Sequence, residues 1–143
     1  MRASHAITVL FLDDDADALH AYRLIATGEG MIVETASDGR EAIALADTLL
    51  PDVIVLDIGL RRDDGLDGFE VARRLRASAR TSTTPLVFVS GYNSADHVAA
   101  MQSSGCDGHL VKPCSADGLL GLITELAKKR GDRARGSDAA ATA

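Results

Sequence analysis

Residues 7–15 read ITVLFLDDD and set six mainly apolar residues directly before three aspartates. A short run of this kind, rich in Ile, Val, Leu and Phe, predicts a buried β-strand that ends where the carboxylates begin. Four later runs have the same character and predict four more strands. The five predicted strands are Ile7 to Leu12, Met31 to Thr35, Val53 to Leu56, Leu86 to Val89 and Gly108 to Val111.

Segments with helical periodicity separate these strands. Leu19, Tyr22 and Ile25 recur at helical spacing in the first segment. Asp38 and Glu41 form a capping-box pattern that predicts the start of the second helix. The predicted helices are Asp15 to Ala26, a helix that begins at Asp38, Leu66 to Ala77, a helix capped by Ser94 that continues to Met101, and a helix capped by Ser115 that continues to Ala127.

The regular alternation of strands and helices predicts an α/β fold. Each helix returns the chain to the same edge of the sheet by a right-handed crossover, so neighbouring strands run parallel. We therefore predict a five-stranded parallel sheet, doubly wound, with helices on both faces. Ligands bind such sheets outside the carboxyl ends of the strands, so we expect the functional residues where the strands end.

Length and composition indicate one domain. The chain has 143 residues, of which 46% are hydrophobic, which is enough to bury one sizeable core. Because the periodic pattern stops after Ala127, the predicted domain covers residues 6–128. Residues 129–143 mix charge, Gly and Ala without periodicity, which indicates a flexible C-terminal tail or the start of a linker.

Charge and hydropathy argue against several classes of protein. The apolar runs are shorter than the roughly 20 residues that cross a bilayer, and the N-terminus does not resemble a signal peptide. We therefore expect a cytoplasmic protein without membrane insertion. A net charge of −6 and 3% aromatic residues disfavour direct binding of nucleic acid. Cys106 and Cys114 are too few for a disulfide framework and are expected to be free thiols.

Polar residues follow four of the predicted strands. Asp13 to Asp15 follow the first strand, Asp57 the third, Ser90 the fourth and Lys112 the fifth. Clustered carboxylates repel one another, so this arrangement favours a hard cation, with Mg²⁺ expected and Mn²⁺ as an alternative. A phosphoryl group at this edge would meet a metal ion, an ammonium and a hydroxyl, with a carboxylate placed to attack phosphorus.

The motifs VLFLDDD, VIVLDIGL, a DG before FEVARRLR, LVFVSGY and GHLVKP resemble those of the response-regulator receiver family, over roughly residues 7–127. This resemblance implies a chemotaxis-regulator-like, flavodoxin-like sheet with strand order 2-1-3-4-5. It also implies a two-component signalling switch that is not a turnover enzyme. The implied partners are a sensor histidine kinase or a histidine phosphotransfer protein, and an unknown downstream protein.

The same resemblance assigns roles to the residues at the strand ends. Asp57 would be the phosphoacceptor, and Lys112 would pair with the phosphoryl oxygens. Asp14, Asp57 and the backbone carbonyl of Gly59 would bind Mg²⁺ directly. Asp13 would hold the metal through a water molecule.

Ser90 would move to hydrogen-bond the attached phosphoryl group, as one half of a switch. The family pattern has Tyr or Phe as the other half, whereas this chain has His109, an imidazole with different hydrogen bonds and charge. Cys114 stands where a large apolar residue is common, so looser packing is expected there.

The segment after Asp57 is longer than in the family pattern by about three residues. It contains Arg61 and Arg62, which are either a solvated turn or a contact for phosphate or an acidic partner. Asp64-Gly65 and Asp67-Gly68 both match the Asp-Gly of the family. We assign Asp67-Gly68 to that position, because the expected helical sequence follows it.

Two alternatives remain open from the sequence. One is a receiver-like protein-binding module that is never phosphorylated. The other is a phosphatase similar to the haloacid dehalogenases, whose D-x-D signature is formally present as Asp13 to Asp15. That class needs a further strand with an acidic pair after the lysine.

Overall fold

The structure is a computed structural model that describes residues 6–60, 66–91 and 95–142, without the side chains of 95–98 and 132–142. Strands and helices alternate along the described chain. They are β1 Thr8–Leu12, α1 Ala16–Gly28, β2 Ile32–Ala36, α2 Gly39–Leu49, β3 Val53–Asp57, α3 Gly68–Ala77, β4 Leu86–Ser90, α4 Ala95–Ser103, β5 Gly108–Val111 and α5 Ala116–Thr142.

The five strands form one parallel sheet in the order β2-β1-β3-β4-β5, which confirms the predicted fold. Each strand begins and ends within one residue of its predicted bounds. The sheet includes two of the polar residues expected just beyond it, because Asp57 pairs with Val89 and Ser90 pairs with Val111. The carboxyl ends of the central strands therefore lie side by side.

Helices cover both faces of the sheet, as predicted. Residues of α2, α3 and α4 pack on one face, around the buried side chains of Leu10, Leu56 and Phe88. Residues of α1 and α5 pack on the other face, around Phe11 and Val55. Alternate residues of each strand point to opposite faces, so every strand contributes to both halves of the core.

Aspartates cap three of the helices at the carboxyl edge of the sheet. Asp15 accepts a hydrogen bond from the backbone N–H of Asp17 at the start of α1. Asp38 and Asp67 accept hydrogen bonds from the third residue of α2 and α3, respectively. These caps satisfy backbone donors that the first helical turn leaves unpaired, and they confirm the predicted starts of α1 and α2.

Helix α3 begins closely against the end of β3. A Cβ atom at Gly68 would lie 2.5 Å from the Cα of Ile58 and 2.9 Å from the backbone O of Asp57. Only a glycine fits there without a shift of backbone. Asp67-Gly68 therefore starts α3, in agreement with its assignment to the family position. Asp64-Gly65 lies outside the described residues.

Helix α5 differs from its prediction. It was expected to end at Ala127, but it continues to Thr142 through the segment expected to be a flexible tail. Ala, Arg and Lys favour helices, and adding residues to an existing helix costs far less than starting one. Arg130 also donates a hydrogen bond of 2.9 Å to the backbone O of Pro51. The domain boundary at residue 128 stays a prediction.

Among the residues that the structure describes, no helix is both long enough and apolar enough to span a membrane.

Candidate functional site

Three charged side chains meet at the carboxyl edge of the sheet. Asp13 directly follows β1, Asp57 ends β3 and Lys112 directly follows β5. The Nζ atom of Lys112 lies 3.1 Å from Oδ2 of Asp13 and 3.3 Å from Oδ2 of Asp57. The structure thus brings together three of the residues that the sequence predicted for the site, although Asp13 and Lys112 are 99 residues apart.

Backbone amides hold the opposite oxygen of each carboxylate. Oδ1 of Asp13 accepts a hydrogen bond of 2.9 Å from the N–H of Asp15, and Oδ1 of Asp57 accepts one of 2.8 Å from the N–H of Gly59. Each carboxylate is therefore fixed in orientation before any ligand binds, with Oδ2 directed at Lys112. Gly59 itself is exposed.

Asp14 completes a group of three carboxylates. One carboxylate oxygen each of Asp13, Asp14 and Asp57 lie within 4.8 Å of one another. Oxygens on an Mg²⁺ ion are at most about 4.2 Å apart, since each lies about 2.1 Å from the metal. The donor set consists of hard oxygens and fits Mg²⁺ or Mn²⁺.

Burial and ion pairing act in opposite directions on the charges of the site. Asp13 is fully buried, and this burial raises the pKa of its carboxyl group, with a further increase from the charge of Asp57. Burial by itself lowers the pKa of Lys112, but Asp13 and Asp57 more than offset it, so the Lys112 pKa lies above its ordinary value. The charged form of Lys112 is therefore favoured, and it neutralises part of the acidic cluster.

Ser90 and His109 lie on the same face of the sheet. Ser90 is fully buried at the end of β4, and its backbone O accepts a hydrogen bond of 2.7 Å from the N–H of Lys112. His109 is half-buried and pairs in register with Phe88, two residues before Ser90. This placement is compatible with the predicted switch, which stays a prediction.

The other predicted features have mixed outcomes. Cys106 and Cys114 are both free and half-buried, as expected. Arg61 and Arg62 lie outside the described residues. In the part of the chain that the structure describes, no strand follows β5, so the further strand needed by the dehalogenase-like alternative is missing there.

One neighbour of the site was not predicted. The half-buried ring of Tyr22 stacks on Phe11, with ring centroids 4.8 Å apart and an interplanar angle of 11°. Burial raises the Tyr22 pKa to about 12, and its hydroxyl also interacts electrostatically with Lys112 and Asp13. From the sequence, Tyr22 was only one of the apolar positions of the first helix.

The fold and this edge define an α/β protein of the flavodoxin-like class with an acidic, lysine-bridged site at the carboxyl ends of its strands. The sequence profile of the response regulator receiver domain matches residues 9–124. The chain therefore belongs to the response-regulator receiver family of two-component systems.

Known proteins agree with this assignment. The chain is 36% identical over 135 residues to the transcriptional regulatory protein TrcR of Mycobacterium tuberculosis, a match that covers 94% of this chain and 50% of TrcR. It spans about half the length of the first curated relatives that it matches.

Two solved structures show the same fold. The Vibrio cholerae chemotaxis protein CheY4 superposes with a TM-score of 0.79 at 29% identity, covering 85% of this chain and 99% of CheY4. The receiver domain of the Francisella response regulator 1452 superposes with a TM-score of 0.77 at 30% identity, covering 87% of this chain and 98% of that domain.

Proposed function

We propose that Asp57 accepts a phosphoryl group in an Mg²⁺-dependent reaction and that this chain works as a phosphorylation-dependent switch. The observation that carries the proposal is the Lys112 ammonium, 3.3 Å from the Asp57 carboxylate and beside a second buried carboxylate. A lysine in this position can neutralise phosphoryl oxygens next to the attacking carboxylate.

The reaction requires one bond to form and one to break. An oxygen of Asp57 forms a bond to phosphorus, while the bond between phosphorus and an imidazole nitrogen of the donor breaks. That nitrogen keeps the electron pair and takes up a proton from solvent. The donor would be a sensor histidine kinase or a histidine phosphotransfer protein. Because this chain itself receives the phosphoryl group, it is a substrate of the transfer and not a turnover enzyme.

The residues around Asp57 have separate roles in this proposal. Asp14, Asp57 and the backbone carbonyl of Gly59 would hold Mg²⁺ directly, and Asp13 would hold it through water. The ion supplies charge neutralisation for the in-line attack when it is bound. Lys112 binds the phosphoryl oxygens and keeps Asp13 from repelling them.

Signalling follows from a change at the end of β4. Ser90 would hydrogen-bond the phosphoryl group, and His109, on the same face of the sheet, would change position with it. The surface near α4, β5 and α5 then changes and is recognised by a downstream protein in the cytoplasm.

We propose no direct contact of this chain with nucleic acid or with membrane. TrcR is called a transcriptional regulatory protein, but the matched region covers only half of it. The net charge of −6 also disfavours binding to phosphate backbones.

The test is phosphorylation by acetyl phosphate in the presence of Mg²⁺, followed by intact-mass analysis. We expect one phosphoryl adduct on the wild-type chain and none after Asp57→Asn substitution or addition of a chelator. The matched control is Asp47→Asn, an exposed aspartate of α2, which should retain the adduct. An adduct that persists in Asp57→Asn would refute the assignment. A wild-type chain that takes up no phosphoryl group would instead favour the unphosphorylated binding module.

A further inference from the structure

Asp15 is the one aspartate of residues 13–15 that has no role in the proposed function. It lies between the end of β1 and the start of α1, where the chain turns from strand to helix. Its carboxylate is exposed and, among the described residues, is not one of the three whose oxygens lie within 4.8 Å of one another. Its contacts with the site therefore have to be sought in the main chain of this turn.

Two consecutive hydrogen bonds link the site to the first turn of α1. The N–H of Asp15 donates to Oδ1 of Asp13 over 2.9 Å, and Oδ1 of Asp15 in turn accepts from the N–H of Asp17 over 3.0 Å. The backbone O of Asp15 accepts a third hydrogen bond, of 3.1 Å, from the N–H of Leu19. Asp15 is thus bonded on one side to a carboxylate of the site and on the other side to the helix.

The helix cap determines where the N–H of Asp15 points. Asp15 has the extended conformation of an N-cap residue, with φ −96° and ψ 112°, and the hydrogen bond from Asp17 holds it there. An alanine at this position cannot accept that hydrogen bond, so the turn would gain conformational freedom. The N–H of residue 15 would then be directed at Asp13 for only part of the time.

The two neighbouring aspartates depend on this turn. Asp13 is fully buried, and a buried carboxylate is costly when it loses a hydrogen-bond donor. Asp14 stands between Asp13 and Asp15, so hydrogen bonds on both sides restrict the main chain that carries its carboxylate. Ligands that are held in place before an ion arrives lose less conformational entropy on binding, so they bind it more tightly.

We propose that Asp15 is a positioning residue for the metal site: its side chain caps α1 and so fixes the turn that presents Asp13 and Asp14 to Mg²⁺. This inference rests on the metal site of the proposed function, in which Asp14 binds the ion directly and Asp13 binds it through water. The side chain of Asp15 acts as a hydrogen-bond acceptor and not by its negative charge, so an asparagine should serve as well.

The experiment is a titration of the full chain with MgCl₂, without a phosphodonor, in which NMR shifts of the backbone amides give the Kd. Asp15→Ala should raise the Kd by about fivefold, because binding must then order the turn as well. Asp15→Asn keeps the acceptor and should bind Mg²⁺ with a Kd within about twofold of wild type. Circular dichroism under the same conditions shows whether each variant is folded.

The matched control is Asp38→Ala. Asp38 is also an exposed aspartate, and it caps α2 through a hydrogen bond of 2.8 Å from the N–H of Glu41. It follows β2, whereas the three carboxylates of the site lie at the ends of β1 and β3. Its substitution should lower stability about as much as Asp15→Ala does but leave the Kd for Mg²⁺ within about twofold of wild type.

Three results would overturn the role of Asp15. The first is a wild-type Kd in Asp15→Ala. The second is a Kd in Asp15→Asn as high as that in Asp15→Ala, since lost charge would then explain the effect. The third is an equal rise of the Kd in Asp38→Ala. A wild-type chain that does not bind Mg²⁺ would refute the metal site and this inference with it, whereas a chain that binds Mg²⁺ but takes up no phosphoryl group from acetyl phosphate would refute only the proposed phosphorylation.

Discussion

Among individual residues of the site, Asp13 lies in an environment that is unfavourable for a charged carboxylate. It is fully buried, and its burial outweighs the hydrogen bond from Asp15 and the ion pair with Lys112, so the pKa of its carboxyl group is raised. The ionised form is thus less stable in the folded protein than in the unfolded chain. At neutral pH the Asp13 charge therefore reduces stability, in the absence of a metal ion.

This leads to a prediction for Asp13→Asn. Without Mg²⁺, the variant should have a higher free energy of unfolding than wild type at pH 7. Well below pH 3.8 the Asp13 carboxyl group of wild type is protonated in both the folded and the unfolded state, so its charge no longer reduces stability. The greater stability of the variant should therefore disappear as the pH falls through the raised pKa of Asp13 towards 3.8. Denaturant titrations at several pH values measure this difference.

The same titrations with Mg²⁺ are the control for Asp13→Asn. The ion should stabilise wild type more than the variant and so narrow the difference. A variant that is less stable than wild type at pH 7 without Mg²⁺ would contradict the prediction.

Two buried threonines give a second prediction. The hydroxyl of Thr81 donates a hydrogen bond of 2.6 Å to the backbone O of Leu75, whereas that of Thr84 has no partner among the described residues. Thr84→Val should therefore be neutral or stabilising by up to about 1 kcal/mol, and Thr81→Val should cost about 1 kcal/mol. Thermal denaturation of both variants compares them, and equal losses would mean that Thr84 has a hydrogen-bond partner after all.

At the scale of single residues, the sequence predicted the site better than its surroundings. Asp13, Asp57 and Lys112 were predictable because strand ends are readable and parallel strands bring their carboxyl ends together. Tyr22 was not, since the same periodicity that predicts helix α1 makes it an ordinary core position. Only the packing of α1 on β1 shows which ring it contacts.

At the scale of elements, two glycines differ in how closely their helices pack against the rest of the protein. Gly68 begins α3 with backbone atoms 2.5 Å and 2.9 Å from where a Cβ would stand, whereas a Cβ at Gly121 in α5 would meet no atom within 4 Å. Gly68→Ala should cost about 1–3 kcal/mol, because neither strand nor helix can move easily. Gly121→Ala should gain up to about 1 kcal/mol from helix propensity.

Urea denaturation compares the two glycine variants, and phosphorylation by acetyl phosphate gives a second measurement. Because a Cβ at Gly68 would lie 2.9 Å from the backbone O of Asp57, Gly68→Ala should also slow phosphorylation, whereas Gly121→Ala should leave the rate unchanged. If both variants gain stability, then α3 does not begin against β3 as described.

Helix starts were more predictable than helix ends. The aspartates before α1 and α2 accept a hydrogen bond from a backbone N–H of the first helical turn. Because few residue types can do this, the start of a helix can be recognised from the sequence. The end of α5 has no comparable signal. Its predicted end relied on the loss of apolar periodicity, but periodicity reports on burial and not on helicity, so the helix continued past it.

At the scale of the whole molecule, Arg76 joins distant parts of the chain at the end of the sheet opposite to the site. Its guanidinium donates to the backbone O atoms of Ser82, Thr84 and Gly105 and to the carboxylate of Asp107. Asp107 in turn accepts a hydrogen bond of 2.8 Å from the N–H of Leu86. One side chain therefore connects α3, the approach to β4 and the turn before β5.

Loss of this contact should affect global stability. Arg76→Ala should lower the free energy of unfolding by about 2–4 kcal/mol, because it leaves several polar groups without a partner. Arg76→Lys should recover only part of the loss, since an ammonium cannot reproduce the planar fork of donors. Chemical denaturation monitored by circular dichroism measures both.

The comparison variant is Arg73→Ala in the same helix. Arg73 is exposed and pairs with Glu70 on the surface, so its loss should leave the denaturation midpoint almost unchanged. Equal effects of the two substitutions would show that the Arg76 contacts add little. These contacts, 29 to 31 residues apart for Gly105 and Asp107, could not be read from local sequence patterns.

The double contact of Lys112 also makes this residue a competitor. A divalent ion that approaches Asp13 and Asp57 meets the ammonium of Lys112, which already pairs with both carboxylates. Because Lys112 is part of the same chain, its local concentration at the site does not depend on the protein concentration. In the proposed site the ion and the ammonium would therefore share the negative charge of Asp13 and Asp57, so the presence of Lys112 should weaken the binding of the ion. We therefore expect the proposed phosphorylation of Asp57 to depend on the concentration of free Mg²⁺.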